Sequence, residues 1–132
     1  VIEWAKETKR DGIRVIDTDW VQALLGRAHA RAEMLRLLNL KLATATENLS
    51  PADASATKVF GSELATEAYR ALMEIVGPAA LVSAGSAGAA LAGRLERFYR
   101  SSLVMTFGGG TNEIQRDIIG YVGLGLPAPK RS

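Results

Sequence analysis

Two proline-marked breaks, Ser50-Pro51 and Gly77-Pro78, bracket a segment in which Ala56, Phe60, Leu64, Ala68, Leu72 and Ile75 recur at mostly four-residue steps. That spacing gathers them on one face of an α-helix. The ends are chemically marked as well. Ser50 suits an N-cap, Pro51 the first helical position, and Asp53 completes a capping box. Gly77 suits a helix end, and Pro78 has no N–H with which to continue. A helix with a single apolar stripe must cover that stripe against something of the same kind.

The flanking sequence supplies partners. Asp17, Thr18 and Asp19 offer an N-cap for a long helix running to about Glu47, with Val21, Leu24, Leu25, Ala28, Leu35, Leu38, Leu42 and Ala45 on its stripe. Gly26 interrupts it, at roughly 1 kcal/mol against Ala, and reads as a point of close helix–helix approach. Residues 79–90 are rich in Ala, Gly and Ser and read as a loop. A further helix is expected from near Ala89 through Phe98, Tyr99 and Leu103 to about Thr106. A last short one runs from Thr111 to about Tyr121, and the tail from Pro127 to Ser132 is expected to fray. At the other end, Val1–Gly12 reads as the close of a helix with Gly12 at its C′ position, followed by a short extended Ile13–Ile16. The fold class expected is all-α, an antiparallel up-down four-helix bundle forming one domain over residues 1–132. With no initiator Met, the chain is expected to be a fragment of a longer protein.

Composition narrows the function classes. The 132 residues are 48% hydrophobic and 23% charged, which excludes wholesale disorder. Absence of cysteine removes disulfides, thiolate catalysis and Cys-based zinc, and permits a reducing, cytoplasmic setting. No apolar run approaches the roughly 20 residues of a bilayer span. A net charge of +2 is too small to argue for nucleic acid. Lys9, Arg10 and Arg14, and again Arg94, Arg97 and Arg100, read as solvated faces, subunit contacts or partners of a nucleotide phosphate. His29 is the single histidine, with no second ligand in register, so no metal is expected.

The chemistry concentrates in Phe107-Gly-Gly-Gly-Thr-Asn-Glu-Ile-Gln-Arg-Asp-Ile-Ile119. Thr111 stands at an N-cap position with Glu113 in the first turn. A glycine-rich turn entering a helix N-terminus exposes N–H groups to a phosphate, carbonyl or ribose oxygen; simple capping is the alternative use of the same groups. The whole string FGGGTNEIQRDIIGYVGLGLP resembles the C-terminal signature of the acyl-CoA dehydrogenase family, in which a Gly-Thr-x-x-Ile-Gln-Arg run opens the last helix and Leu-Gly-Leu-Pro often follows.

The resemblance implies a C-terminal helical bundle that follows an N-terminal helical domain and a middle β-domain, neither of which this length can hold. It implies an FAD-dependent oxidation of an acyl-CoA thioester, in which a carboxylate removes an α-proton and hydride leaves Cβ. It implies FAD contacts at Gly110, Thr111 and Glu113. In many members the catalytic Glu lies two residues before the signature Thr; here that residue is Gly109, whose backbone N–H can still meet the thioester oxygen. No catalytic side chain is therefore visible. Other branches carry the Glu on the first helix of this domain, and in paired heteromeric members one chain lacks it. Two further FAD segments depart from the family pattern. Thr8 replaces the first Arg of an Arg-Lys-Thr-Phe-Gly-like stretch, leaving Lys9 or Arg10 as substitutes. Glu74 and Pro78 alter a Gln-x-x-Gly-Gly-x-Gly stretch.

The reading is thus the C-terminal domain of an acyl-CoA dehydrogenase of lipid catabolism, inactive alone and assembled as a homo- or hetero-oligomer through the bundle. The alternative is a non-catalytic subunit of a heteromeric enzyme, serving assembly and half-site FAD binding. A basic helical interaction or DNA-binding module is the remote third; no nucleic acid or membrane is expected as a partner.

Overall fold

The structure, a computed structural model, describes residues 1–45 and 49–127. Helix α1 spans Ile2–Glu7, strands β1 and β2 are Lys9–Arg10 and Ile13–Arg14, and the long helices α2 and α3 are Asp19–Thr44 and Pro51–Val76. Short helices α4 (Arg94–Val104) and α5 (Asn112–Ile118) follow, and α5 runs on into a π-helical turn over Ile119–Gly123. The all-α reading holds, with one two-residue hairpin added. Glu47, the expected end of α2, and the tail beyond Pro127 lie outside the described residues.

The hairpin corrects the role expected of Gly12. Helix α1 ends at Glu7, where Thr8 turns extended. Asp11 and Gly12 then take φ of +51° and +82°, between Arg10 and its partner Ile13. An Asp-Gly pair with both φ positive is the two-residue turn whose twist matches antiparallel strands. Gly12 therefore turns a hairpin and does not cap a helix.

Helix α3 is capped as its sequence implies. The Ser50 hydroxyl accepts from Ala52 N–H, Pro51 is the first helical residue, and Gly77 takes a φ of +79° at the C-cap. The Thr18 cap of α2 works through its backbone only. Helix α4 starts later than the expected Ala89. Leu91, Ala92 and Gly93 are all left-handed, at φ +51°, +56° and +70°, and only Arg94 is helical. Gly93 packs on the returning loop, where a Cβ would lie 2.3 Å from the Ala84 nitrogen. That contact breaks the helix and holds the 78–93 connection against itself.

Helix α3 is the centre of the assembly. Lys41 pairs with Asp53 at 2.9 Å, Leu35 lies over Gly61, and Arg31 pairs with Glu67, so α2 runs antiparallel along one face. On another face Tyr69 stacks on Phe98 at 5.7 Å and Thr66 meets Ser102 at 3.4 Å, so α4 is antiparallel too. The end of the π-helical turn approaches still closer, with a Gly123 Cβ position 2.9 Å from Ala52. This second buried face of α3 carries Ala52, Ser55, Val59 and Ser62. With two serines among its four residues this face shows only a weak apolar pattern, so the sequence reading found only the first stripe, and it included Ala56, which is exposed. Gly26 is likewise corrected: nothing lies within 4 Å of its Cβ position, whereas Gly61 meets Leu35 at 3.2 Å.

The core sits at one end. Ala5, Val15, Val21 and Ile75 form one buried cluster and Val76, Ala80 and Leu95 an adjoining one. Toward the other end much apolar surface is open. The accessible surface is 8672 Å², against about 6,700 Å² expected for a compact chain of this mass.

Candidate functional site

The turn between α4 and α5 is tied down by its carbonyls. Thr106 O accepts from Asn112 N–H at 2.9 Å and from Lys58 Nζ at 3.1 Å. Gly109 O accepts from Gln115 Nε2 at 3.1 Å, and Gly110 O from Lys58 Nζ at 2.8 Å. Lys58 spends its third proton on Asn112 Oδ1, at 2.7 Å, and that oxygen also accepts from Ser62 Oγ at 3.1 Å. Asn112 and Ser62 are both buried beneath the turn.

The amide groups are left over. Among the described residues, Gly109, Gly110 and Thr111 N–H have no acceptor, and all three residues are exposed. Among the described residues every peptide bond is trans, so each N–H points opposite the carbonyl before it. The Gly110 N–H thus points away from Gln115, and the Thr111 N–H away from Lys58 and α3. Gly109 and Gly110 reach this shape at φ +71° and +98°, which glycine adopts without a Cβ penalty.

Thr111 and Glu113 complete the entrance to α5. The Thr111 oxygen accepts from Ile114 N–H at 3.3 Å, as an N-cap does. The Glu113 carboxylate is held below its ordinary range by its own backbone N–H first, then by the Thr111 hydroxyl. Both residues line a cleft of roughly 670 Å³ with Glu63, Glu67, Phe107 and Arg116; Gly109 and Gly110 lie beside it, in the turn. Its carboxylates are engaged: Glu63 with Arg116, Glu67 with Arg31, Glu113 with its own helix start. Each carboxylate lining the cleft is thus engaged, and Gly109 itself brings no side chain to it.

This geometry fits an oxygen-rich ligand. A run of unpaired N–H groups beside a hydroxyl is chemically suited to carbonyl, ribose or phosphate oxygens, and the open position at Gly109, with no atom within 4 Å of its Cβ, leaves room for one. A second, mostly apolar groove of roughly 620 Å³ ends under the same turn at Gly108, between α2, α3 and the last turn of α4.

The two altered segments come together elsewhere. Arg10 donates to Val76 O at 2.7 Å, lies over the Trp4 ring at 5.7 Å, and sits 3.3 Å from the Cβ position of Gly77. Arg10 is thus committed to joining the hairpin to the end of α3, and Lys9 is the exposed cation beside it. Arg100 pairs with Glu96 on its own helix. His29 is exposed at the rim of an apolar groove, and no group of metal-ligating side chains occurs among the described residues. Among the described residues no helix is long and apolar enough to cross a membrane. Lys58, Asn112 and Ser62 are the site residues that sequence reasoning missed. A lone lysine beside an apolar stripe looks like any solvated lysine until the turn is folded over it.

The family model of the acyl-CoA dehydrogenase C-terminal domain matches residues 1–124. Acyl-CoA dehydrogenase FadE26 of Mycobacterium tuberculosis is 58% identical over 99% of this chain, and FadE29 of the same organism is 39% identical over 97%. The chain spans about a third of the length of these curated relatives, 34% and 33% respectively. Among solved structures, the ChsE4-ChsE5 complex from Mycobacterium tuberculosis superposes with a TM-score of 0.92 at 60% identity, covering 97% of this chain and 34% of that one. The Tcur3481-Tcur3483 steroid ACAD superposes at 0.87 with 42% identity, covering 97% and 33%.

Proposed function

Because the chain belongs to the acyl-CoA dehydrogenase family, as a C-terminal domain of that family, we propose that it is the helical part of an FAD-dependent enzyme that desaturates an acyl-CoA thioester between Cα and Cβ. The observation that carries this is the polarised turn, with its carbonyls tied to Lys58 and Gln115 and its N–H groups unpaired. An N–H at Gly109 stabilises negative charge that develops on the thioester oxygen as the α-proton leaves. Gly110 N–H, Thr111 Oγ and the Glu113 region hold flavin ribose or phosphate oxygens, provided the Glu113 carboxylate turns away from the helix start. FAD, when bound, supplies the hydride acceptor. The base comes from outside the described residues, either from an upstream helix of a longer chain or from a partner subunit.

The partner reading has its own support. Exposed Trp20, Met34, Leu37 and Leu40 on α2, and Leu103, Val104, Met105 and Phe107 beside the turn, leave apolar faces for another chain. Both solved relatives are two-protein complexes or assemblies by name. A heteromeric enzyme follows, with this chain either bearing the base upstream or serving as its non-catalytic, half-site subunit. Apolar residues of α2 and α3 continue past Val1 and Ile2 in a groove of roughly 640 Å³. On this reading the chain is one bundle domain, and a longer first helix fills that groove. Bulky ring-bearing acyl-CoAs are the substrate class, on the likeness to a steroid enzyme and the missing side chain at Gly109. The cytoplasm is the compartment this reading assigns.

The test is the visible spectrum of the purified parent chain, alone and with its partner, before and after straight-chain and steroid-side-chain acyl-CoAs. A flavin band that a ring-bearing acyl-CoA bleaches is the expected result. A parent chain that acquires no flavin, alone or with any partner subunit, overturns the reading.

A further inference from the structure

Lys58 is engaged in a way a surface lysine is not. An ammonium has three protons and no acceptor capacity. Here they go to Thr106 O at 3.1 Å, Gly110 O at 2.8 Å and Asn112 Oδ1 at 2.7 Å. All three acceptors are neutral, and no carboxylate lies in ion-pairing distance of Lys58 among the described residues. The positive charge therefore stands behind the turn outside any direct ion pair, close enough to favour the charged form of Glu113. The bonds join Thr106, two residues before the first glycine, to the first residue of α5, and both to the middle of α3.

We propose that Lys58 is a positioning residue for the oxygen-binding turn. By holding the Gly110 carbonyl toward α3 it fixes the plane of the 110–111 peptide and aims the Thr111 N–H outward. By holding Thr106 O and Asn112 Oδ1 it sets the separation of the turn's ends. Its charge, held outside any direct ion pair, lies on the far side of the same peptides and favours a ligand oxygen that carries or develops negative charge. Ser62, donating to the same Asn112 oxygen, keeps that amide in register. The inference rests on reading the turn as the flavin and thioester contact. It adds a residue on a different helix, whose side chain reaches the ligand only through the backbone it holds.

The experiment uses the full-length parent protein assembled with its partner. Lys58→Met keeps most of the length and removes all three donors, and Lys58→Arg keeps the charge and several donors. Four quantities are read: the flavin dissociation constant, kcat and KM at saturating flavin, and the thermal midpoint. The expected result is a loss of about tenfold or more in flavin affinity or in kcat, the scale of a misplaced contact, with partial recovery in Lys58→Arg. A loss confined to flavin affinity assigns the aimed N–H to a flavin phosphate or ribose oxygen. A loss in kcat with KM little changed assigns it to the thioester oxygen. If Lys58→Met does not fold, Asn112→Ala removes one of the three acceptors and is read by the same quantities. Wild-type flavin affinity and kcat in a folded variant overturn the inference, and so does a loss that tracks the thermal midpoint alone and is not recovered by Arg. A wild-type protein without a flavin band instead overturns the functional reading.

Discussion

Removing the hydroxyl of Thr111 separates two roles that one group performs. Its oxygen caps α5 by accepting from Ile114 N–H, and the same group faces the cleft. Thr111→Ala is expected to cost about 1 kcal/mol of stability through the lost cap, read as a shift in the urea midpoint. Thr111→Ser keeps the oxygen and should restore the midpoint; in the parent enzyme it should restore flavin affinity as well. A Ser variant with normal stability and poor flavin retention would assign the contact to the methyl group. Glu113 adds a pH dependence. Its folded pKa is depressed below the ordinary 4.5 by its own N–H and the Thr111 hydroxyl, so its contribution is present above about 4.5 and lost as pH falls through the depressed value. A carboxyl-carbon NMR titration of Glu113 should therefore give a midpoint below that of an unstructured Glu. Thr111 and Glu113 were legible because a cap is a local pattern. Lys58 was not, because its three acceptors lie about fifty residues away, at separations of 48, 52 and 54.

At the scale of elements, the glycines divide by what stands opposite them. Gly26 has open space around its Cβ position on α2, so Gly26→Ala should stabilise by up to about 1 kcal/mol through helix propensity. Gly61→Ala pushes a methyl against Leu35 at 3.2 Å and should forfeit that gain. Gly93→Ala is the severe case, with backbone atoms of Ala84 at 2.3 and 2.6 Å and a φ of +70°; overpacking of this kind costs about 1–3 kcal/mol, and the positive φ adds to it. Urea denaturation of the three variants should rank them in that order, and a Gly93→Ala midpoint at or above wild type would mean the 78–93 connection is not held as described. The same positions mark what sequence patterning can and cannot say. Capping and apolar periodicity placed the start of α2 and both ends of α3 nearly to the residue, because those are properties of neighbours in sequence; α2 ends at Thr44, short of the expected Glu47. The start of α4 was missed because it is decided by Ala84 pressing on Gly93. The second buried face of α3 was missed because it is built from Ala52, Ser55 and Ser62, whose burial depends on α5 and its π-helical turn lying close.

For the whole molecule, the decisive quantity is surface. The chain exposes roughly 2,000 Å² more than a compact protein of its mass, more than the roughly 800 Å² that one partner of an ordinary stable interface buries. Part of that excess lies on α2, where Met34, Leu37 and Leu40 are each about half exposed, at 49%, 52% and 50%. Leu37 sits on none of the buried stripe, so a charged side chain there disturbs no packing inside the bundle. Leu37→Glu should change folding stability by no more than about 0.5 kcal/mol, as for surface positions generally. If α2 carries the subunit contact, the same change buries an unpaired charge in the assembly and should lower the mass of the parent protein by light scattering. Flavin retention should fall along with it if the site is shared between subunits. A parent protein whose mass is unaffected by Leu37→Glu would move the contact to the apolar surface beside the turn, where Phe107 and Leu124 are 58% and 70% exposed. A Phe107→Glu variant would then be expected to lower the mass, and because Phe107 lines the cleft of Thr111 and Glu113, assembly and ligand binding would be lost together.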